Sequence, residues 1–250
     1  MTYPLRDRIL GPVLAFSLAL GLGPGLAGSA AAEDAAALAR ALERSAQRDW
    51  PGAQDHAARS GPIAQDLIRW QRLRAGQGTW PEYLQFALSH RDWPGMALLY
   101  RRGDALLRPD LPPAQILAWF GDRRPETLPA AEALIAALTV LDPAAARAEI
   151  ARFWTTTPLA KPEAEAFMAA HSPVLLDLHD QRIANLLDLG EWRAARDMLP
   201  VASAPMQALA QARIAVQSGQ AGVDTLILAL PAQARADAPA CLLYTSPSPR

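Results

Sequence analysis

The chain is 250 residues long, 51% apolar, with 24 Lys plus Arg against 25 Asp plus Glu. Such a length and apolar content suffice for one large folded domain or two small ones. A formal net charge of −1 leaves no basic excess to meet a phosphate backbone, which excludes nucleic acid as an expected partner.

The N-terminal segment reads as a secretory leader. "MTYPLRDR" carries two Arg, "ILGPVLAFSLAL" is an apolar run, and Ala30 and Ala32 supply the small residues before Glu33. A membrane anchor needs about twenty apolar residues, and Gly21, Gly23, Pro24 and Gly25 interrupt the run. Residues 1–32 are therefore expected to be a signal peptide, cleaved after Ala32. The only Cys, Cys241, is far from that point, which argues against a lipoprotein anchor. With no second apolar stretch of spanning length, the mature chain is expected outside the cytoplasm without insertion in a membrane.

From Glu33 to Ala240 apolar residues recur at helical spacing, as in Ile63, Leu67, Trp70, in Ile183, Leu186, Leu187, and in Met206, Leu209, Ala212, Val216. No stretch alternates long enough to predict a sheet. Segments of about ten to eighteen residues are separated by "SGP", "AGQG", "RPDLPP", "LDP", "HSP" and "SGQAG", all turn signals. A dozen or so short-linked helices predict an all-α fold, an α-solenoid of antiparallel helix pairs. "RDWPG" at Arg48–Gly52 recurs 43 residues later at Arg91–Gly95, an interval in the range of helical repeats. "GEWRAA" at Gly190–Ala195 is a looser copy, and "TWPE" at Thr79–Glu82 shares the Trp-Pro step. Thr79 and Glu82 have capping-box spacing. Asp49 and Asp92 fit the N-cap position, with Pro51 and Pro94 in the first turn where no N–H is needed. Trp50, Trp80, Trp93 and Trp192 are thus expected to begin helices, and Trp70, Trp119 and Trp154 to lie within them, all seven as packing residues.

Chemistry-bearing patterns are absent from these residues. His171 and His179 stand eight apart with Pro173 between them, a span of about 12 Å along a helix, and neither belongs to an "HExxH" pattern. His56 and His90 are isolated. The carboxylates alternate with Arg at helical intervals, as on a solvated helix face, and no "GxSxG" elbow or phosphate loop occurs. No catalytic, cofactor-binding or metal-ligating residue is assigned.

The stretch "LIRWQRLRAGQGTWPEYLQFALSHRDWPGMALLYRRGDALL", Leu67–Leu107, resembles the N-terminal superhelical domain of the soluble lytic murein transglycosylases of the α-proteobacterial type. "LHDQRIANLLDLGEWRAARDMLP" at Leu178–Pro200 and "ALAQARIAVQSGQAGVDTLI" at Ala208–Ile227 look like later helices of that domain. The resemblance implies a periplasmic enzyme of the cell wall that cleaves the β-1,4 bond between N-acetylmuramic acid and N-acetylglucosamine without water, leaving a 1,6-anhydro ring. It also implies that the catalytic Glu belongs to a C-terminal lysozyme-like domain, marked by an "ES" pair and a "GLMQ"-type stretch. Neither occurs here, so residues 33–240 are expected to be the non-catalytic scaffold of that enzyme, incomplete at its C-terminal end. The last ten residues, "CLLYTSPSPR", Cys241–Arg250, match the translation of a transposase-type sequencing adapter and are read as foreign to the protein. The expected partners are peptidoglycan glycan strands and the protein's own lysozyme-like domain. The alternative is a stand-alone periplasmic helical-repeat adaptor that binds protein or glycan.

Overall fold

The computed structural model describes residues 26–230, with side chains from residue 32 onward. Most of the expected leader, the end of the expected scaffold and the adapter-like tail lie outside the described residues. Thirteen α-helices and one 3₁₀ turn follow one another, with no strand among the described residues. No helix among them is long and apolar enough to cross a membrane.

The chain divides into two compact units, Met1–Arg72 and Leu73–Arg250. The first holds α1 (Leu26–Ala46), α2 (Trp50–Arg59) and most of α3 (Pro62–Arg74). The second holds α4 (Trp80–Ser89), α5 (Met96–Asp104), α6 (Pro113–Phe120), α7 (Leu128–Leu141) and α8 (Pro143–Thr156). It continues through α9 (Lys161–Leu175), α10 (His179–Asp188), α11 (Trp192–Asp197), the 3₁₀ turn Leu199–Val201, α12 (Ala204–Ser218) and α13 (Val223–Ala229). The expected cleavage point after Ala32 falls inside α1.

In the first unit the core is built of small residues. Ala41, Ala53, Ala57, Ala64 and Ile68 form one buried cluster, and Leu38 packs against it. Alanine at these positions lets helix backbones approach closely while keeping helix propensity. Ser45 donates to Gln71, and the Ser60 hydroxyl donates to the Asp34 carbonyl at 2.6 Å. The core face of α3 lies one residue beyond the expected stripe: Ile63 is 78% exposed, while Ala64 and Ile68 are buried. Pro62 opens the helix, so its first full turn sets the i, i+4 pair Ala64 and Ile68 inward.

Between α1 and α2, Arg48 adopts a left-handed φ of 61°, and Asp49 then caps α2 by accepting from the Gly52 N–H at 3.1 Å. Pro51 sits in the first turn, as expected. A Cβ on Gly52 would come within 2.3 Å of the Asp49 carboxylate, so any larger residue here would make the capping side chain shift. The second "RDWPG" behaves differently, so Asp92 does not cap a helix and Trp93 does not begin one. The left-handed residue is now Gly95, at φ 70°, after the Trp-Pro step rather than before it, and α5 starts at Met96. Trp93 instead packs edge-on to Phe86 and His90, at 5.4 and 5.0 Å between ring centres.

The other expected helix starts occur at Trp80 and Trp192. Ahead of α4, the Glu82 carboxylate accepts from the Thr79 N–H at 2.8 Å and from its hydroxyl at 3.0 Å. Asp142 caps α8, accepting from the N–H groups of Ala144 and Ala145. "HSP" does not break the chain: α9 runs through Pro173 to Leu175. Pro173 lies near the helix end, and the residue whose carbonyl loses its N–H partner, Ala169, is exposed, so that carbonyl is not stranded in the core.

The second unit buries its largest side chains between α8, α9 and α10. Trp154 is fully buried and stacks on Phe167, with ring centres 5.9 Å apart and planes 10° apart. Ile183, Leu186 and Leu187, an expected apolar face, close this core from α10. Beside them in the same stripe lies a cation, Arg182, only 1% exposed. Its Nη1 donates to the carbonyls of Trp154 and, at 3.0 Å, Thr157, while Asn185 donates to Thr155 at 3.0 Å. These donors satisfy carbonyls that the last turn of α8 leaves without intrahelical partners. The guanidinium carbon lies 4.0 Å from the centre of the Trp154 ring.

Helices α10 and α12 run parallel. Near their starts Asp180 accepts from the Ser203 N–H at 2.9 Å and from its hydroxyl; near their ends Arg213 pairs with Asp188 at 2.7 Å and Gln217 donates to the Leu187 carbonyl at 2.7 Å. The short α11 packs against both.

Asp49→Ala should lower stability by about 0.5–2 kcal/mol, read as a urea midpoint. Gly52→Ala should also destabilise, although Ala is normally the better helix former. Introduced into the Asp49→Ala background, where the carboxylate is gone, Gly52→Ala should instead recover about 0.5–1 kcal/mol. A stabilising single Gly52→Ala would refute the close approach.

His179 opens α10, with its ring edge-on to Trp154 at 5.8 Å. Burial holds its pKa below the usual value, the Arg182 charge lowers it further, and Asp180 partly opposes both. A depressed histidine pKa contributes stability that is full above the unfolded-state value near 6.5 and is lost as pH falls through the folded-state value. His179→Phe should therefore flatten the fall in urea midpoint between neutral and mildly acid pH. An unchanged slope would refute this source of pH dependence.

Candidate functional site

Two open clefts flank the turn that leaves α6. Gly121, at φ 52°, reverses the chain, and the Arg123 N–H donates to the Phe120 carbonyl at 2.9 Å, so Arg123 and Arg124 follow directly on a tight turn. One cleft, of about 300 Å³, is bordered by Arg91, Tyr100, Trp119, Asp122 and Arg123. The other, of about 450 Å³, is bordered by Arg124, Leu134, Glu149 and Arg152. Phe120, Gly121 and Arg123 border both.

Arg123 is fixed by its surroundings. Its guanidinium carbon lies 3.6 Å from the centre of the Tyr100 ring, and Nη2 donates to the Trp119 carbonyl at 3.4 Å. Trp119 is packed edge-on by Trp80 and by Tyr100, each with ring centres 5.2 Å apart. Its Nε1 donates to Asp104 at 2.7 Å, and a Cβ on Gly103 would come within 2.4 Å of its ring. Asp104 also faces Arg123 at 3.7 Å. Burial raises the Asp104 pKa above the usual carboxylate value, against the opposing effects of the Trp119 hydrogen bond and the Arg123 charge. Asp104 borders neither cleft and acts as the acceptor that orients Trp119.

In the larger cleft Glu149 is 2% exposed and held by a two-point fork from Arg152, at 2.9 and 2.5 Å, and by Arg124 at 3.1 Å. Four arginines against Asp122 and Glu149 make the paired clefts net positive. Guanidinium groups suit carboxylate or phosphate oxygens. There is no nucleophile paired with a base here. The aromatic faces are occupied, since Arg123 covers Tyr100 and Trp119 is 2% exposed. The arrangement can bind an anionic or hydrogen-bonding chain through its arginines; it does not offer indole faces for sugar stacking.

Most of the other described tryptophans and histidines lie against neighbouring side chains. Trp80 donates to Gln115 at 3.0 Å, Trp154 is fully buried, and Arg193 covers the half-buried Trp192 at 4.3 Å. Trp50 and Trp70 are half-buried on α2 and α3. His56 lies 2.8 Å from Arg59, His90 stacks on Phe86, and His171 sits 3.3 Å from both oxygens of Glu132. Among the described residues, no group of three or more His, Cys, Asp or Glu is placed to hold a metal ion.

The sequence reading missed the arginines of the clefts, because Arg91, the adjacent pair Arg123 and Arg124, and Arg152 come from three separate segments. "GDRRPE", a Gly-led turn with adjacent arginines, was the visible signal. No family model matches the chain, and neither a curated protein nor a solved structure does.

Proposed function

We propose that this chain is the helical scaffold of a periplasmic soluble lytic transglycosylase, in which a separate lysozyme-like domain cleaves the glycan of peptidoglycan. The observation that carries the reading is the resemblance of Leu67–Leu107, reinforced at Leu178–Pro200 and Ala208–Ile227. The helices of the described residues, which include no strand, support it, as does the parallel pair α10 and α12 with α11 packed on both, the geometry expected of one helix-pair step in an α-solenoid. In this reading the leader directs export, the helices stack as a superhelix, and the arginines around Gly121–Arg124 hold carboxylates of murein stem peptides while the catalytic domain works. The scaffold itself performs no bond cleavage.

Purified murein sacculi should retain the chain on co-sedimentation, and added salt should weaken the retention. Arg91→Glu, at an exposed position, should reduce retention several-fold with an unchanged helical spectrum. No 1,6-anhydro-muropeptides should be released. Lack of retention by the unaltered chain would contradict murein contact; release of anhydro products would contradict the assignment of catalysis to another domain.

A further inference from the structure

The larger cleft beside Gly121–Arg124 has a charged end and an apolar end. Along α8 its lining runs from Ala145 through Ala148 to Glu149 and Arg152, and Leu134 and Leu138 of α7 line it as well. Ala145 and Arg152 are ~10 Å apart along the helix by its rise per residue. Asp142 joins α7 directly to α8, so Leu138 and Ala145 lie near the tip of this hairpin, and Leu134 and Glu149 a turn or so further in. At the inner end Arg152 spends its nitrogens on Glu149 and Thr156 and adds only its charge. Arg124 has donors to spare: Nη1 holds Glu149 at 3.1 Å, and among the described residues nothing meets Nε or Nη2. Its side chain is 67% exposed, so the guanidinium can be reached by a ligand.

Three arginines against one glutamate leave the cleft net positive, and Glu149 is already met by two of them, so an incoming carboxylate does not face a bare negative charge. An extended peptide advances about 3.3 Å per residue, so the ~10 Å from Arg152 to Ala145 matches about three residues. The volume of about 450 Å³ lies within the range of ligand pockets. Ala145 and Ala148 fill little space, which suits small aliphatic side chains. The cleft is open along one flank. A peptide backbone there keeps its water, whereas an acyl chain would leave much of its apolar surface wet.

We propose that the larger cleft binds the C-terminal end of an extended peptide whose last residues carry small aliphatic side chains, with its carboxylate on Arg124 and its side chains against Leu134, Leu138 and Ala145. The site is one of the clefts given to murein stem peptides and rests on that reading for the role of its arginines; it adds a preference for free chain ends over amidated or cross-linked ones.

Soluble peptides test this on the unaltered chain without murein. With ¹³C-methyl-alanine labelling, N-acetyl-trialanine should shift the Ala145 and Ala148 signals saturably and leave Ala41 and Ala57 of the first unit unmoved. Signals would be assigned through Ala145→Ser and Ala148→Ser. Half-saturation on the order of 1 mM is expected for a ligand of this size. The same peptide as its C-terminal amide should bind about fivefold more weakly, since it lacks the charge-assisted bond. Arg124→Met should weaken the free acid to the level of the amide, while Arg152 still holds Glu149. Absence of shifts at Ala145 and Ala148, equal binding of acid and amide, or tighter binding of sodium hexanoate than of the peptide would overturn the proposal. Peptide binding without retention on sacculi would support this site and count against the murein reading alone.

Discussion

The guanidinium of Arg182 closes the carboxyl end of α8 from inside the protein. Helix ends usually find their missing partners in water or in a glycine-led turn. Here the last turn of α8 is buried against α10, so its carbonyls need donors from the protein, and Arg182 and Asn185 supply them one turn apart on a single face of α10. The positive charge suits the negative end of the α8 dipole and lies beside the Trp154 ring. With α10 fixed to α8 in this way, its other contacts extend the order: Asp180 holds the start of α12, and Asp188 and Leu187 hold its far end.

Elsewhere in the second unit the same device recurs in other forms. Asp104 is half-buried and accepts from Trp119, and Glu149 is buried under two arginines. In each case a shielded polar group holds an element in one position, since a displaced helix would leave that group without its partner. The clefts beside Gly121–Arg124 inherit rigidity from this arrangement. Arg123 is pinned over Tyr100, whereas Arg124 is 67% exposed and its end is open to solvent. A scaffold that contacts an anionic polymer needs both kinds: fixed residues that shape the groove and exposed ones that can adjust along it. That combination fits the murein-scaffold proposal and requires no catalytic group among the helices.

Much of the helical order was legible in the residues, because it rests on local rules. Asp49, Thr79, Glu82 and the "SGP", "LDP" and "SGQAG" breaks act through neighbours a few positions away. The failures have equally local causes. "RDWPG" cannot report which of its residues takes the left-handed conformation, Arg48 in one copy and Gly95 in the other. Pro173 reads as a stop, but a proline near a helix end with an exposed carbonyl behind it is tolerated. Ile63 satisfies the helical period yet faces solvent, because Ala64 and Ile68 satisfy the same period one residue on and pack against alanines. The clefts were not legible, since their arginines are assembled by tertiary contacts. Arg182 left a trace: a charged residue within the apolar stripe of Ile183, Leu186 and Leu187.

The claim that one buried cation organises α8, α10 and α12 is most directly tested by native-state hydrogen exchange on Arg182→Met. Methionine keeps the packing volume and removes the donors, so buried carbonyls lose partners at about 1–3 kcal/mol each, offset in part by the recovered desolvation of the charge. The account predicts a net loss of stability, with protection falling together across α8, α10 and α12. Loss confined to the last turn of α8, or an unchanged or more stable protein, would contradict it.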